Sequence, residues 1–245
     1  MRTLRACWRL LRIVLHIFCG LWVAAVQLPR LQPPAQSARV QHWALAFLAH
    51  AGIALEVRGT PPVGGPVLLV ANHLSWLDIP VLHAARYCRF VSKADVKDWP
   101  LVGTLATAAG TLYIERSSPR DALRVVHRMR DALLGGEVLA VFPEGTTGDG
   151  RGMLPFHANL LQAAIAADAP VQPVGLRFAE RASGRASHAP SYVGDETLLG
   201  SVWRTLSAPP LVAVVHYGAP ARAEGRERRA WSEQLRQRVD ALRQP

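Results

Sequence analysis

Two residues able to move a proton stand five positions apart in the segment Asn72-His73-Leu74-Ser75-Trp76-Leu77-Asp78. Histidine titrates near neutrality, so His73 can accept a proton from an alcohol and later return it to a leaving group. A carboxylate at Asp78 would hold the ring in one tautomer and stabilise the imidazolium that forms, while the attacking oxygen would belong to the substrate. Five residues of continuous helix rotate a side chain by about 140°, so the chain must turn between the two. Ser75 followed three residues later by Asp78 fits a capping box, which predicts a helix from Ser75 with His73 in the preceding loop. The same pattern describes an ordinary loop histidine beside a capping aspartate, so the pair needs support from elsewhere in the chain.

Three further segments offer it. After the apolar run ending at Phe142 comes Pro143-Glu144-Gly145-Thr146-Thr147-Gly148-Asp149-Gly150, a loop whose backbone N–H groups could cradle an oxyanion or phosphate; Glu144 could equally be a structural acid, and the loop a simple turn. Gly110 to Arg116 closes a second apolar run with an arginine suited to gripping a phosphate, or to lying solvated at the surface. Lys93 follows a third run and could neutralise developing negative charge. Val171-Gln172-Pro173-Val174 is apolar with an internal proline, which predicts an edge-like strand or tunnel wall.

These segments need a scaffold. Pro66 to Ala71, Cys88 to Ser92, Thr111 to Ile114, Val138 to Phe142, Val171 to Leu176 and Leu211 to Tyr217 are short apolar runs that read as strands covered on both faces. Their alternation with helical stretches predicts an α/β fold, a layered mixed sheet flanked by helices. The polar clusters then lie beyond strand carboxyl ends, where such sheets present their ligand crevice. A helix opens after Arg116, with Ser117 or Ser118 as cap, Pro119 and Asp121 in its first turn and Gly135-Gly136 at its stop. Trp231, Leu235, Val239 and Leu242 form one apolar stripe on a basic helix over about 226–243 that docks back on the domain. Residues 180–197 read as a polar surface loop.

Ahead of this domain, Arg2, Arg5, Arg9 and Arg12 precede an apolar run from Ile13 to Leu28, 16 residues long. A perpendicular bilayer span needs roughly 20, so the run suits a helix lying in one leaflet, its arginines toward the cytoplasm. A cleaved signal peptide is the alternative, but no A-x-A site follows. Pro29, Pro33 and Pro34 break that helix, and a second apolar helix is predicted over about 38–51, so that residues 1–54 form a two-helix membrane-binding motif and 55–245 the domain that carries the chemistry.

Composition agrees. The chain is 50% hydrophobic and 19% charged with a net charge of +10, greasy enough to meet lipid and basic enough for an anionic partner. With no zinc-finger, RNP-like or aromatic-interleaved basic pattern, no nucleic-acid partner is expected. Cys7, Cys19 and Cys88 are odd in number and far apart, which argues against a disulfide framework or a metal centre.

Taken in order, the segments resemble the lysophospholipid acyltransferase family, glycerolipid acyltransferases related to those that acylate 1-acylglycerol 3-phosphate. The family's four blocks are matched by Asn72-His73 through Asp78, Gly110 through Arg116, Phe142-Pro143-Glu144-Gly145-Thr146, and Val171 through Val174 with Pro173; Lys93, Pro100 and Gly103 are similar to the stretch between its first two blocks. The resemblance implies that His73, supported by Asp78, deprotonates an acceptor hydroxyl for direct attack on the thioester of acyl-CoA or acyl carrier protein, without a metal or prosthetic group. It implies acceptor binding by Arg116, Glu144, Gly145, Thr146 and Thr147, and oxyanion contacts from Lys93 and the Gly145 amide. It also implies membrane lipids as partners, and the Ala-, Arg- and Leu-rich composition, compatible with a high-GC bacterium, would place the chain at the cytoplasmic face of the inner membrane. Members specific for lysophosphatidic acid commonly carry Arg where this chain has Thr147; the run Thr147 to Gly150 is closer to members acting on other lyso-lipids such as lyso-ornithine lipid, with Arg151 able to compensate. A catalytically silent protein binding anionic lipid is the competing reading, and a hydrolase is disfavoured because no Gly-x-Ser-x-Gly elbow is present.

Overall fold

The computed structural model describes residues 2–114 and 119–245. Helices α1 (Arg2–Trp22) and α2 (Pro33–Ala51) lead into strand β1 (Ile53–Arg58). There follow β2 (Val67–Ala71), α3 (Asp78–Ala85), β3 (Arg89–Lys93), α4 (Val102–Ala108), β4 (Leu112–Ile114), α5 (Pro119–Leu134) and β5 (Val138–Val141). The chain ends with α6 (Gln162–Ala166), β6 (Val171–Glu180), α7 (Leu198–Ser207), β7 (Leu211–Tyr217) and α8 (Arg228–Leu242). The strands form one seven-stranded mixed sheet in the order β1-β7-β6-β2-β5-β3-β4, parallel except at the β6–β7 junction.

The sheet lies between two helical layers, each with its own core. On one face α1, α2, α3 and α7 bury Ala6, Ile13, Phe47, Leu48, Leu82 and Leu206 against Leu69, Ala71 and Val215. On the other, α5, α6 and α8 bury Met129, Leu133, Ala163, Trp231, Leu235 and Val239 against Leu68, Val70 and Val171. All five residues of β2 are buried, which is why that strand reads as an unbroken apolar run. The N-terminal helices share a core with the sheet, and β1 begins at Ile53.

Several expectations are corrected. β1 departs from the expected strands: it is one of two edge strands, Glu56 and Val57 are exposed, and only Ile53 is fully buried, so it lacks the apolar run that marks the others. β6 is an interior strand rather than an edge, paired with β2 on one side and β7 on the other. Pro173 is tolerated there because the β7 side of the strand is interrupted at that point. Val171 exchanges two hydrogen bonds with Ala221, Gly218 N donates to Pro173 O at 2.9 Å, and the regular ladder starts only at Val174↔Tyr217, so a missing N–H costs the sheet nothing.

Helix α2 starts at Pro33, not near Ala38, since Pro33 and Pro34 occupy its first turn, where a missing N–H is harmless. Helix α1 starts at Arg2, well before the apolar run, and continues through a π-helical turn (Val23–Gln27) and a 3-10 turn (Leu28–Arg30). Its outer face exposes Leu4, Trp8, Leu11, Leu15, Phe18 and Trp22, spaced alternately by four and three residues so that they form one stripe. Two arginines point the other way: Arg9 Nη1 donates to Leu206 O at 2.9 Å and Arg5 Nη2 to Ala208 O at 3.2 Å, satisfying carbonyls at the end of α7 that have no partner within the helix. Residues 181–197 are mostly exposed, as expected of a surface loop, but Pro190 and Ser191 are buried where the segment folds over the loop after β2 and Tyr192 N donates to Leu74 O.

Candidate active site

Asn72 explains how the chain leaves β2. Its side chain pairs with the backbone of Leu176 in both directions, Nδ2 donating to Leu176 O at 3.0 Å and Leu176 N donating to Oδ1 at 2.7 Å. The amide thus imitates a peptide group and continues the β2–β6 ladder one step past Ala71↔Val174 while the backbone turns away and carries His73 beyond the carboxyl end of the strands. α3 begins at Asp78 rather than at Ser75. The anticipated box is half formed: Ser75 N donates to the Asp78 carboxylate, but Ser75 Oγ accepts from Leu77 N instead of from Asp78.

His73 Nδ1 lies 2.8 Å from Asp78 Oδ2. The same oxygen accepts from Leu74 N at 2.6 Å and Ser75 N at 2.8 Å, and Asp78 is fully buried. An ionised carboxylate only accepts, so Nδ1 carries the ring hydrogen and Nε2 is left with its lone pair. The imidazole is 20% exposed and stacks on the Phe142 ring at 3.9 Å with an interplanar angle of 7°; Phe142 in turn stacks on Phe90 at 5.7 Å. Each of these contacts removes a rotation the imidazole would otherwise have.

The loop after β5 braces the same histidine through its backbone. Glu144 is buried, with Oε1 accepting from His73 N at 2.8 Å and Oε2 from Leu154 N at 2.9 Å. Burial pushes its carboxyl above the ordinary range, and those two N–H donors pull the other way. Gly148 N donates to His73 O at 2.8 Å, Tyr192 N to Leu74 O at 2.9 Å, and Thr147 Oγ1 to Tyr192 O. Gly145 adopts φ +73°, open to glycine at no steric cost, and its N–H donates to Phe142 O at 3.0 Å. Pro143 O accepts from His157 N at 2.8 Å, and Arg243 Nη1 of the C-terminal segment donates to Gly150 O at 2.7 Å.

The expected residues therefore divide. His73, Asp78, Asn72, Phe142 and Glu144 converge. Glu144 and Thr147, which the resemblance assigns to acceptor binding, have their polar atoms engaged within the protein, and the Gly145 amide proposed for the oxyanion is already committed to a turn. Thr146 is exposed. Lys93 is exposed at the end of β3, two strands from β2 in the sheet, about 10 Å across at the usual strand spacing. Gly110 O accepts from Arg89 Nε at 2.6 Å, so that segment is tied to β3. Arg116, Ser117 and Ser118 lie outside the described residues. Tyr192 and Leu154 were not anticipated, because they act through backbone N–H groups that leave no mark on sequence.

A family model described as Acyltransferase matches residues 54–177. The chain is 36% identical to the lyso-ornithine lipid O-acyltransferase of Pseudomonas aeruginosa, over 98% of this chain and 93% of the relative. It is 35% identical to the 1-acyl-sn-glycerol-3-phosphate acyltransferase of Neisseria meningitidis, over 86% and 82% respectively. Its fold is similar to the crystal structure of the 1-acyl-sn-glycerophosphate (LPA) acyltransferase PlsC from Thermotoga maritima, with a TM-score of 0.72 and 19% identity over 100% of this chain and 99% of that one.

Proposed function

The chain belongs to the acyltransferase family, and on that premise we propose that it moves a fatty acyl group from an acyl thioester, of coenzyme A or acyl carrier protein, to the free hydroxyl of a lysolipid. The observation that carries this reading is the 2.8 Å contact between His73 Nδ1 and a fully buried Asp78, which leaves Nε2 on a partly exposed ring. Nε2 takes the hydroxyl proton as the oxygen attacks the thioester carbonyl. The tetrahedral intermediate then expels the thiolate, which recovers that proton from His73. Asp78 stabilises the imidazolium between the two steps. Because this pair supplies the whole proton transfer, the reaction needs no metal or prosthetic group, and activity is expected to survive chelation by EDTA.

For the acceptor we favour a lysolipid without a phosphomonoester, lyso-ornithine lipid first. The loop after β5 has Thr147 rather than an arginine fork, the Thr147 hydroxyl is engaged by Tyr192 O, and Asp149 adds an exposed carboxylate; each disfavours a dianionic phosphate. The protein is membrane-associated, and its exposed α1 stripe suits one leaflet better than a span: the helical stretch Arg2–Arg30 is long and apolar enough to cross, yet Ala6, Arg9, Ile13 and Gly20 of α1 pack inward. Placement on the cytoplasmic side follows from the acyl donors.

The test is transfer from labelled acyl-CoA and acyl carrier protein to lyso-ornithine lipid, 1-acylglycerol 3-phosphate and other lysolipids, comparing wild type with His73→Ala. Diacyl product from the wild type alone supports the mechanism, and the best acceptor decides the headgroup. Equal transfer by both proteins would exclude His73 as the base.

A further inference from the structure

The segment after β3 has no role in the chemistry above, yet its backbone is unusual. Leu101 has φ +63° and ψ −49°, and Val102 N donates to Pro100 O at 2.6 Å. That is a γ-turn of the rare, strained kind centred on a residue with a branched side chain. The surroundings hold it there. Gly103 N donates to Trp99 O at 2.8 Å and Leu105 N to Leu101 O at 3.1 Å. Gly103 also backs so closely onto Lys97 that a Cβ would sit 2.0 Å from its carbonyl oxygen. Strain of this kind persists where neighbouring structure over-determines it and clusters at working surfaces.

What the turn presents is apolar. Trp99, Leu101 and Val102 are 45, 46 and 43% exposed, a run of large side chains that ordinary packing would bury. The nearby Lys93 and Lys97 are offset by Asp95 and Asp98, so charge does not select the partner. Position does. α4 touches α1 and the Val23–Gln27 turn that continues it, so the segment bearing the apolar tip lies beside the Trp22 end of α1, and it leaves the same end of the sheet as the His73 loop, since β3 and β2 both run parallel to β5.

We propose that the Trp99–Val102 turn is a second membrane-inserting element, a rigid wedge that enters the leaflet beside α1 and holds the mouth of the active site against the lipid. Tryptophan and aliphatic side chains on one tip match the boundary between headgroups and acyl chains. Pro100 and Gly103 are then there to shape the wedge.

The experiment uses the full chain and phosphatidylcholine–phosphatidylglycerol vesicles. Leu101→Gly removes the side chain and also relieves the positive φ. It is expected to lower vesicle partition about tenfold while the denaturation midpoint in detergent holds or rises. Trp99→Phe, which keeps the tip apolar, is expected to reduce the fluorescence quenched by lipids brominated in their acyl chains. Unchanged partition in the first variant, or unchanged quenching in the second, would overturn the proposal. So would a loss of partition that tracks a loss of midpoint. If the turn instead covers a second copy of the chain, wild type sediments as a dimer in detergent, Leu101→Gly as a monomer, and partition stays constant, which also overturns it.

Discussion

At the carboxyl ends of β2 and β5 buried polar groups converge on one histidine, whereas at the carboxyl end of β3, at the same end of the sheet, apolar side chains face outward. The first region holds His73 through the Asp78 carboxylate, the Phe142 ring, Glu144 and the Gly148 N–H. In the second, Trp99, Leu101 and Val102 are close to half exposed around a strained turn. The difference separates two tasks. A general base works only if its ring is fixed to within a fraction of an ångström, and buried hydrogen bonds supply that. A lipid contact needs no directional partner, only apolar area in a defined place.

Breaking the first region should give the largest effect. Asp78→Asn keeps the shape but removes the negative charge that stabilises the imidazolium, and kcat is expected to fall by about 10³ to 10⁴ with vesicle partition unchanged. A drop below tenfold would mean that the histidine is oriented by its ring stack alone.

His83, on α3 and ten residues from His73, offers the next comparison. It is buried among Tyr87 and Phe90 with Nδ1 unpartnered, and burial lowers its pKa from 6.5 to about 4. The unfolded chain therefore binds the proton more readily. The stability that the neutral ring contributes is full above pH 6.5 and is lost as pH falls toward 4, by about 3 kcal/mol. In urea titrations, His83→Leu should flatten that acid limb; an identical limb would show that other groups cause it.

The α1 contact comes third. Arg9→Ala leaves α7 carbonyls unsatisfied and should destabilise the fold by about 2 kcal/mol, read from the urea midpoint in detergent, without altering kcat in the folded fraction. Glu144→Gln should have the smallest effect and sharpen the comparison most. One of two N–H groups loses its acceptor, and kcat is expected to fall about tenfold with KM for the acceptor unchanged. A rise in acceptor KM at constant kcat would return Glu144 to the binding role that the family resemblance implies.

Much of this was legible in the residues. The strands covered on both faces appeared as apolar runs, the ends of α5 were marked by Pro119 and Gly135-Gly136, and His73 and Asp78 were singled out by their type and by their position after a strand. Edge strand β1 was hidden, because one open face removes the run that betrays a strand. The reach of α1 was misjudged, because its apolar stripe begins among arginines and shows only when every third or fourth residue is followed around a helix. The role of Glu144 depends on N–H groups at His73 and Leu154, which every residue but proline carries, so no spacing could announce it.

By itself, then, the sequence determined which side chains can exchange a proton and which segments must be buried, since those follow from chemical type and local periodicity. Only the tertiary structure decided that Oδ2 of one aspartate gathers three donors, that an asparagine imitates a peptide bond to release the loop carrying His73, and that a strained Leu101 is exposed at the start of α4, a helix that touches α1. These depend on contacts between residues distant along the chain, and the energy of such contacts is set by distance and burial.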